Sequence, residues 1–337
     1  MDRQISPGSL DRHGELTGLL LGAGASYDLG MPLLKELTYE LKSWLTPEKL
    51  RSLNEGWRRG GPGFDYPDDV IEDFASVLDR EDMHYESLLG YLQVQSQRQF
   101  NTLQSYNGLY MFLSDIIYAL LRERHLLNVD YIERNIRYLA GIKFFVEKNA
   151  PLWIFSLNHD LIIECFAADI GIPVKSGFTE EAIRLPRRSP RGALVGHLRA
   201  EVLAEDVLKT RGLPFFNRGQ TGINLLKVHG SLDVFTFRDG KDVLKLLPEG
   251  EGIQGVLSSL RIANQELRYV EPGWPGGVIA ASNEINYADE AGEMQFLRRS
   301  LLAGAYKFDP RYNLWLAPIV RPRNGKNKVH LDECDRL

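Results

Sequence analysis

Apolar residues along this chain fall into two patterns, short continuous runs and stripes at helical spacing. The runs at 19–21, 152–157 and 223–228 are typical of parallel strands that are buried on both faces. The stripes at 33–45, after Pro32, and at 109–121 predict amphipathic helices. Because helical segments separate the runs, the pattern predicts an α/β fold with a parallel sheet and helices on both faces.

Weaker patterns complete the expected order of elements. Helical spacing also occurs at 85–92, 131–146, 161–166 and 293–306. Short strands are predicted at 234–237, 243–247, 278–281 and 314–320. Loops are predicted at 54–67, which is polar and rich in glycine, and around the arginines and prolines of 184–191. The sequence of residues 174–222 as a whole does not predict a clear secondary structure.

Each of the three strand candidates ends in polar residues that suit ligand binding: 22–26 (GAGAS), 158–160 (NHD) and 229–231 (HGS). In an open α/β sheet the ligand lies outside the carboxyl ends of the strands, so these three tips are expected to share one site. A glycine turn between a strand and a helix favours phosphate, because backbone amides and the helix dipole attract an anion. Tyr27 stands where a dehydrogenase fingerprint has its third glycine, which favours a nucleotide-binding protein of another kind.

Composition narrows the class of protein. The chain has 337 residues, of which 44% are hydrophobic and 25% charged, as is usual for a globular protein. A net charge of −5 gives no reason to expect direct nucleic-acid binding. Cys165 and Cys334 form no CxxC pair and the histidines lack close ligand spacing, so no metal is expected. A polar N-terminus and the lack of a long apolar run predict a soluble, cytoplasmic protein without membrane contact.

Taken in order, the segments 19–32 (LLLGAGASYDLGMP), 156–164 (SLNHDLIIE) and 227–233 (KVHGSLD) resemble the sirtuin superfamily. The closer similarity is to the sirtuin-like NAD hydrolases of prokaryotic anti-phage defence systems, a branch that does not deacylate proteins. This resemblance implies a Rossmann-like domain that takes NAD as its substrate. The expected products are nicotinamide and ADP-ribose, and the expected role is a defence effector that depletes NAD.

The resemblance also implies roles for single residues. Asn158 is expected to hold the ribose and orient the attacking water, and His229 to contact the ribose hydroxyls and act as general base. Asp160 is expected to orient the loop or the ribose. The other residues expected to bind NAD are Gly22, Ala23, Gly24, Ala25, Ser26 and Ser231. From residue type alone, Asn158 and Asp160 also fit a role as helix caps, and His229 also fits a structural role. His159 is given no chemistry, and Glu164 is interpreted as structural support.

Departures from the deacylase pattern keep the alternatives open. The four zinc-binding cysteines of deacylases are absent, and Leu33 and Leu34 replace an acidic and an aromatic residue after the glycine turn. Protein deacylation is therefore the weaker alternative. The other alternative is a sensor or scaffold that binds NAD or ADP-ribose without turnover.

Two regions are expected along the chain. Residues 1–237 are predicted to form the NAD-binding catalytic domain, with a helical insertion at about 45–148. Residues 238–337 are predicted to form a C-terminal extension that either completes the sheet or mediates assembly. An enzyme that destroys NAD is toxic when always active. By analogy, regulation is expected through a homo-oligomer or through a protein partner such as an ATPase or an argonaute-like protein.

Overall fold

The computed structural model describes residues 18–60, 65–98, 103–178, 181–188, 193–210, 213–237 and 242–263, together with short strands at 286–288, 294–296 and 298–299. Within these ranges the chain forms a parallel sheet, a helical segment between its first two strands, and a second, antiparallel sheet. The strands predicted at 278–281 and 314–320 lie outside the described residues.

The parallel sheet has four strands in the spatial order β1-β2-β6-β3. These strands are β1 (Gly18–Leu21), β2 (Leu152–Ser156), β3 (Val174–Lys175) and β6 (Ile223–Lys227). Leu21 pairs with Ser156, and Ser156 pairs with Lys227, so the three strands that carry the expected tips end level with one another. The predicted α/β fold, with a Rossmann-like parallel sheet flanked by helices, is confirmed.

Helices occupy most of the chain between β1 and β2. They are α1 (Gly24–Tyr27), α2 (Leu34–Trp44), α3 (Pro47–Gly60), α4 (Asp68–Leu78), α5 (Tyr85–Arg98), α6 (Leu103–Leu127), α7 (Val129–Asn135), a 3-10 helix (Ile136–Ala140) and α8 (Gly141–Lys148). Later helices are α9 (Ile162–Asp169), α10 (Glu205–Thr210) and α11 (Gly252–Ala263). The loop predicted at 54–67 is wrong as far as Gly60, because α3 continues through this polar stretch.

The two faces of the parallel sheet differ in burial. Leu152 and Ile154 are fully buried in the main core, whereas Trp153 and Phe155 lie on the opposite face and are only partly buried. On that face the Trp153 ring lies 4.9 Å, centroid to centroid, from the ring of Phe215. Leu20 is 71% exposed there, so the prediction that the first strand is buried on both faces is wrong. The reason is that β1 is the outer strand of this sheet and only its alternate residues meet the core.

The second sheet is antiparallel, with the order β10-β9-β4-β5-β8-β7-β11. Its strands are β4 (Ala182–Arg188), β5 (Leu194–Leu203), β7 (Val234–Phe237), β8 (Asp242–Leu246), β9 (Asn286–Ala288), β10 (Met294–Phe296) and β11 (Arg298–Arg299). The short strands predicted at 234–237 and 243–247 are confirmed as β7 and β8. The loop predicted around 184–191 is wrong as far as Arg188, and the helix predicted at 293–306 is wrong at β10 and β11. In both places pairing with neighbouring strands overrides a weak local preference.

No helix in the described part of the chain is long and apolar enough to cross a membrane.

Candidate functional site

The loops that follow β1, β2 and β6 start side by side at one edge of the parallel sheet. The Leu157 amide donates to the Leu21 carbonyl at 2.9 Å, and the Val228 amide donates to the Ser156 carbonyl at 2.9 Å. The strand ladder thus continues one residue past each strand. The structure therefore brings the GAGAS, NHD and HGS tips together, as parallel strands that end in register require.

Hydrogen bonds fix the orientation of the Asn158 side chain. Its Nδ2 donates to the Gly22 carbonyl at 2.9 Å and to Ser26 Oγ at 3.0 Å. Because the Gly22 carbonyl can only accept, the nitrogen of the carboxamide must face it. Both Nδ2 hydrogens are then used, and no other described residue hydrogen-bonds to Asn158 Oδ1. The carbonyl end of the amide is therefore the end that remains for a ligand.

Behind Asn158 the hydrogen bonds continue into the protein. Ser26 Oγ donates to Asp160 Oδ2 at 2.6 Å, and Asp160 Oδ1 accepts from the Ile162 amide at 3.1 Å. Ser26 is only 2% exposed, so its hydroxyl connects Asn158 to Asp160 inside the protein. Asp160 thereby holds the loop in place, through Ser26 on one side and the amide of Ile162, the first residue of α9, on the other. Whether Ser26 also contacts NAD stays a prediction.

The glycine turn is open on its outer side. Gly22 and Gly24 are exposed, and neither has a positive φ. A Cβ added at either position would meet no described atom within 4 Å. Neither backbone conformation nor packing therefore requires glycine here, and both positions leave room for a ligand to approach the main chain. The helix that follows the turn is α1, a single turn without a side-chain cap, and the helix predicted after Pro32 begins at Leu34.

The HGS tip lies next to the NHD tip. The ring centroids of His229 and His159 are 6.3 Å apart, and the Leu232 amide donates to the His159 carbonyl at 3.0 Å. His229 is partly exposed, and its ring nitrogens have no hydrogen-bond partner among the described residues. Gly230 is buried with a φ of 92°, a conformation that disfavours any side chain, which explains the glycine of this tip.

His159 and Ser231 are turned into the protein. Burial, followed by electrostatic repulsion from His229, lowers the pKa of His159 to about 4, so the His159 ring is neutral near pH 7. That agrees with a structural role for His159. Ser231 is 2% exposed, and its hydroxyl donates to Asp233 Oδ1 at 2.5 Å. Contact between Ser231 and NAD stays a prediction.

Beneath the HGS tip lies a buried group of charged residues, named here the charge cluster: Glu164, Lys227, Asp233 and Lys245. Lys227 Nζ lies 3.0 Å from Glu164 Oε1, and Lys245 Nζ lies 2.9 Å from Asp233 Oδ2 and 3.8 Å from Glu164 Oε1. Lys227 Nζ also donates to the Asp160 carbonyl. Glu164 was expected as support, and the lysine partners are new. Their signal in the sequence is a lysine in a largely apolar strand, at the end of β6 and again inside β8.

Burial and neighbouring charges act against each other in the charge cluster. For Asp233, burial raises the pKa, but Lys245 and Lys227 together outweigh it and leave the pKa below its usual value. For Lys245, burial lowers the pKa, but Asp233 and Glu164 outweigh it and leave the pKa raised. For Glu164, burial prevails over the lysines and raises the pKa. Asp233 and Lys245 therefore form a true buried ion pair.

A separate cleft of about 820 Å³ opens beside the segment that follows the glycine turn. It is lined by Tyr27, Asp28, Gly30, Met31, Lys35, Glu36, Tyr39, Glu40, Ser43, Arg124 and Tyr131. Neither Asn158 nor His229 lines this cleft. It is therefore a different surface from the strand tips and gives no support to a dinucleotide site between these two residues.

Comparison with protein-family models finds no match to this chain. Comparison with curated proteins finds none either.

Proposed function

We propose that this chain is an NAD hydrolase that cleaves the bond between nicotinamide and ribose, with Asn158 and His229 as its catalytic residues. The observation that carries the proposal is the fixed orientation of Asn158, whose Oδ1 remains for a ligand next to the open turn at Gly22 and Gly24. The resemblance to sirtuin-like defence enzymes supplies the substrate and the proposed role in depleting NAD.

The orientation of the amide suits the charge that develops in this reaction. Nicotinamide leaves as a neutral molecule, and the ribose carbon becomes positive as the glycosidic bond breaks. Asn158 presents the negative end of its amide dipole, which stabilises that charge and accepts a hydrogen bond from the attacking water. Because the hydrogen bonds to Gly22 and Ser26 exist before the substrate arrives, little reorganisation is needed during the reaction.

His229 completes the proposed mechanism as general base. Water attacks the anomeric carbon, the bond to nicotinamide breaks with its electron pair going to nicotinamide, and the proton of the water passes to the imidazole. A ring nitrogen without a hydrogen-bond partner in the described part of the chain is available for that proton. The partial exposure of His229 gives the ring access to water.

The test is nicotinamide release from NAD by the purified full chain, alone and with candidate partners. Replacing Asn158 or His229 by alanine should lower the rate by about 10²–10⁴-fold, the usual cost of losing a positioned acid or base. Matched controls are Asn135→Ala in α7 and His84→Ala before α5, which remove the same side chains away from the strand tips. Equal rates for the site variants and the controls would refute the assignment.

A second candidate is a sensor that binds NAD or ADP-ribose without cleaving it. The open glycine turn favours this function equally, because it supports binding whether or not a bond is broken. Calorimetry separates the two candidates: saturable binding with no nicotinamide release, in every assembly state tested, favours the sensor. Gly24→Val should weaken binding in either case, while Gly90→Val on the exposed side of α5 should not.

Regulation is part of the proposal, because constant NAD depletion would kill the cell that makes the enzyme. We propose that a homo-oligomer or a partner protein such as an ATPase or an argonaute-like protein controls turnover. Native mass measurement of the chain alone, followed by the NAD assay with and without the partner, tests this control.

A further inference from the structure

His125 in the last turn of α6 contacts the loop that carries Asn158 and Asp160, although it lies far from that loop in the sequence. The side chain is fully buried. Its Nδ1 lies 2.7 Å from the Leu121 carbonyl, and the Leu161 amide donates to its Nε2 at 3.1 Å. A neutral imidazole has one donor and one acceptor. Because the Leu121 carbonyl only accepts, the proton is on Nδ1, and Nε2 is the acceptor for Leu161.

Leu161 is where the NHD tip becomes helix. Its side chain is fully buried, and its carbonyl accepts from Cys165 in the first turn of α9. Its amide is one of the donors that a helix start leaves without a partner inside the helix. His125 provides that partner. The loop 158–160 is thus held at one end by Gly22 and Ser26 and at the other by α6.

The acceptor role requires His125 to stay uncharged. Burial is the main influence and lowers its pKa, while Asp160 and Lys227 are the charged groups that face it and act in opposite directions. A proton on Nε2 would point at the Leu161 amide and break the contact. Burial therefore maintains the form of the ring that this contact needs.

We propose that His125 is a positioning residue for the strand-tip site, through which the helical segment between β1 and β2 sets the geometry of Asn158. The proposal rests on the proposed NAD hydrolase function for its effect on turnover. In this proposal His125 does not touch the substrate. Instead, His125 fixes the Leu161 amide, and the loop before Leu161 then presents the Asn158 amide at the open glycine turn.

The test compares His125→Leu with His125→Gln in the full chain. Leucine fills the space but leaves the Leu161 amide without an acceptor. This loss corresponds to a change of about 5- to 150-fold in the equilibrium between the held loop and the released loop. We expect faster hydrogen exchange at the Leu161 amide and a kcat for nicotinamide release lower by at least about 5-fold. The KM for NAD should change less, because the glycine turn is untouched. Glutamine again has a donor and an acceptor and should restore most of both readouts.

The matched control is Leu113→Ala, a buried position on the same helix about 18 Å from His125 along its axis. It should lower the Tm but leave kcat and exchange at Leu161 close to wild type. The proposal is overturned when His125→Leu behaves like Leu113→Ala in both readouts, or when folded His125→Gln restores neither. Absence of NAD turnover in the wild type refutes the hydrolase instead, and exchange at Leu161 then still decides whether His125 holds the loop.

Discussion

The loops that follow β2 and β6 lie side by side at one edge of the sheet, yet different interactions hold them. The loop after β2 is held mainly by hydrogen bonds from uncharged groups: the Asn158 amide to Gly22 and Ser26, and the Leu161 amide to His125. The loop after β6 lies over the charge cluster, with Lys227 at its start and Asp233 at its end.

The two kinds of interaction have different effects: the hydrogen bonds orient a side chain, whereas the charge cluster fixes the positions of whole elements. Hydrogen bonds are directional, and those around Asn158 define which end of one amide faces outward. The charge cluster joins elements instead: Lys245 comes from β8 of the antiparallel sheet, Asp233 from just before β7, and Glu164 from α9 beside the parallel sheet. We therefore expect damage to the charge cluster to affect mainly stability, and damage to the hydrogen bonds to affect mainly turnover.

The largest predicted effect is that of Lys245→Met. Removing the Lys245 ammonium group leaves Asp233 and Glu164 buried without their shared cation. Breaking a buried ion pair lowers the free energy of unfolding by about 3–5 kcal/mol. Chemical denaturation followed by circular dichroism measures this loss. Adding Asp233→Leu to the variant should recover much of it, because an apolar pair of similar size carries no unpaired charge.

The control for this prediction is Arg51→Met, which removes an ion pair to Glu72 on the surface. Both of those side chains are largely exposed, at 42% and 57%, so the loss should stay below about 1 kcal/mol. Similar losses for Lys245→Met and Arg51→Met would contradict a structural role of the charge cluster.

His159 belongs to the loop after β2, with its ring near His229 of the loop after β6, and it should make stability depend on pH. Burial lowers the pKa of this ring to about 4, whereas the unfolded chain binds a proton there below about pH 6.5. The unfolded state thus holds more protons between these values. Stability should fall as the pH decreases through this window, by at most about 1.4 kcal/mol per pH unit and about 3 kcal/mol in total, and then level off.

The measurement is the free energy of unfolding at several pH values for wild type and His159→Phe. The variant should lose this part of the slope, while His125, which is also buried with a lowered pKa, keeps its own part in both proteins. His197→Phe, at an exposed position, is the control and should keep the slope of the wild type. An unchanged slope in His159→Phe would show that the ring is charged or accessible in the folded state.

The sequence predicted the strand tips well for a physical reason. Buried parallel strands are continuous apolar runs, and the residues that follow such strands must meet at one edge of the sheet. The GAGAS, NHD and HGS tips could therefore be placed together from the sequence alone. The exposed face at Leu20 could not be predicted, because a run of leucines does not reveal whether a strand is the outer one.

The interactions that support the tips could not be predicted from local sequence patterns. His125 reaches Leu161 across 36 positions, and nothing in the helical stripe of α6 distinguishes a buried histidine from an exposed one. Strands β4 and β5 of the antiparallel sheet were missed, although β7 and β8 were predicted. The reason is that β4 contains a proline and several arginines, which weaken the strand pattern, while its pairing with β5 stabilises it.

The smallest predicted effect concerns Ser26, which connects Asn158 to Asp160. In Ser26→Ala, Asn158 keeps its hydrogen bond to Gly22 but loses the second one, and Asp160 Oδ2 loses its donor. A hydrogen bond of this kind contributes about 1 kcal/mol to stability, so the Tm should fall only slightly. The amide would then be free to rotate about its remaining bond, and nicotinamide release should fall by about 10-fold, equivalent to about 1.4 kcal/mol. Ser76→Ala in α4, which loses only a bond to a carbonyl of its own helix, should leave the rate unchanged. Equal rates for both variants would mean that Gly22 alone orients Asn158, and the hydrogen bonds behind it would then serve only to hold the loop.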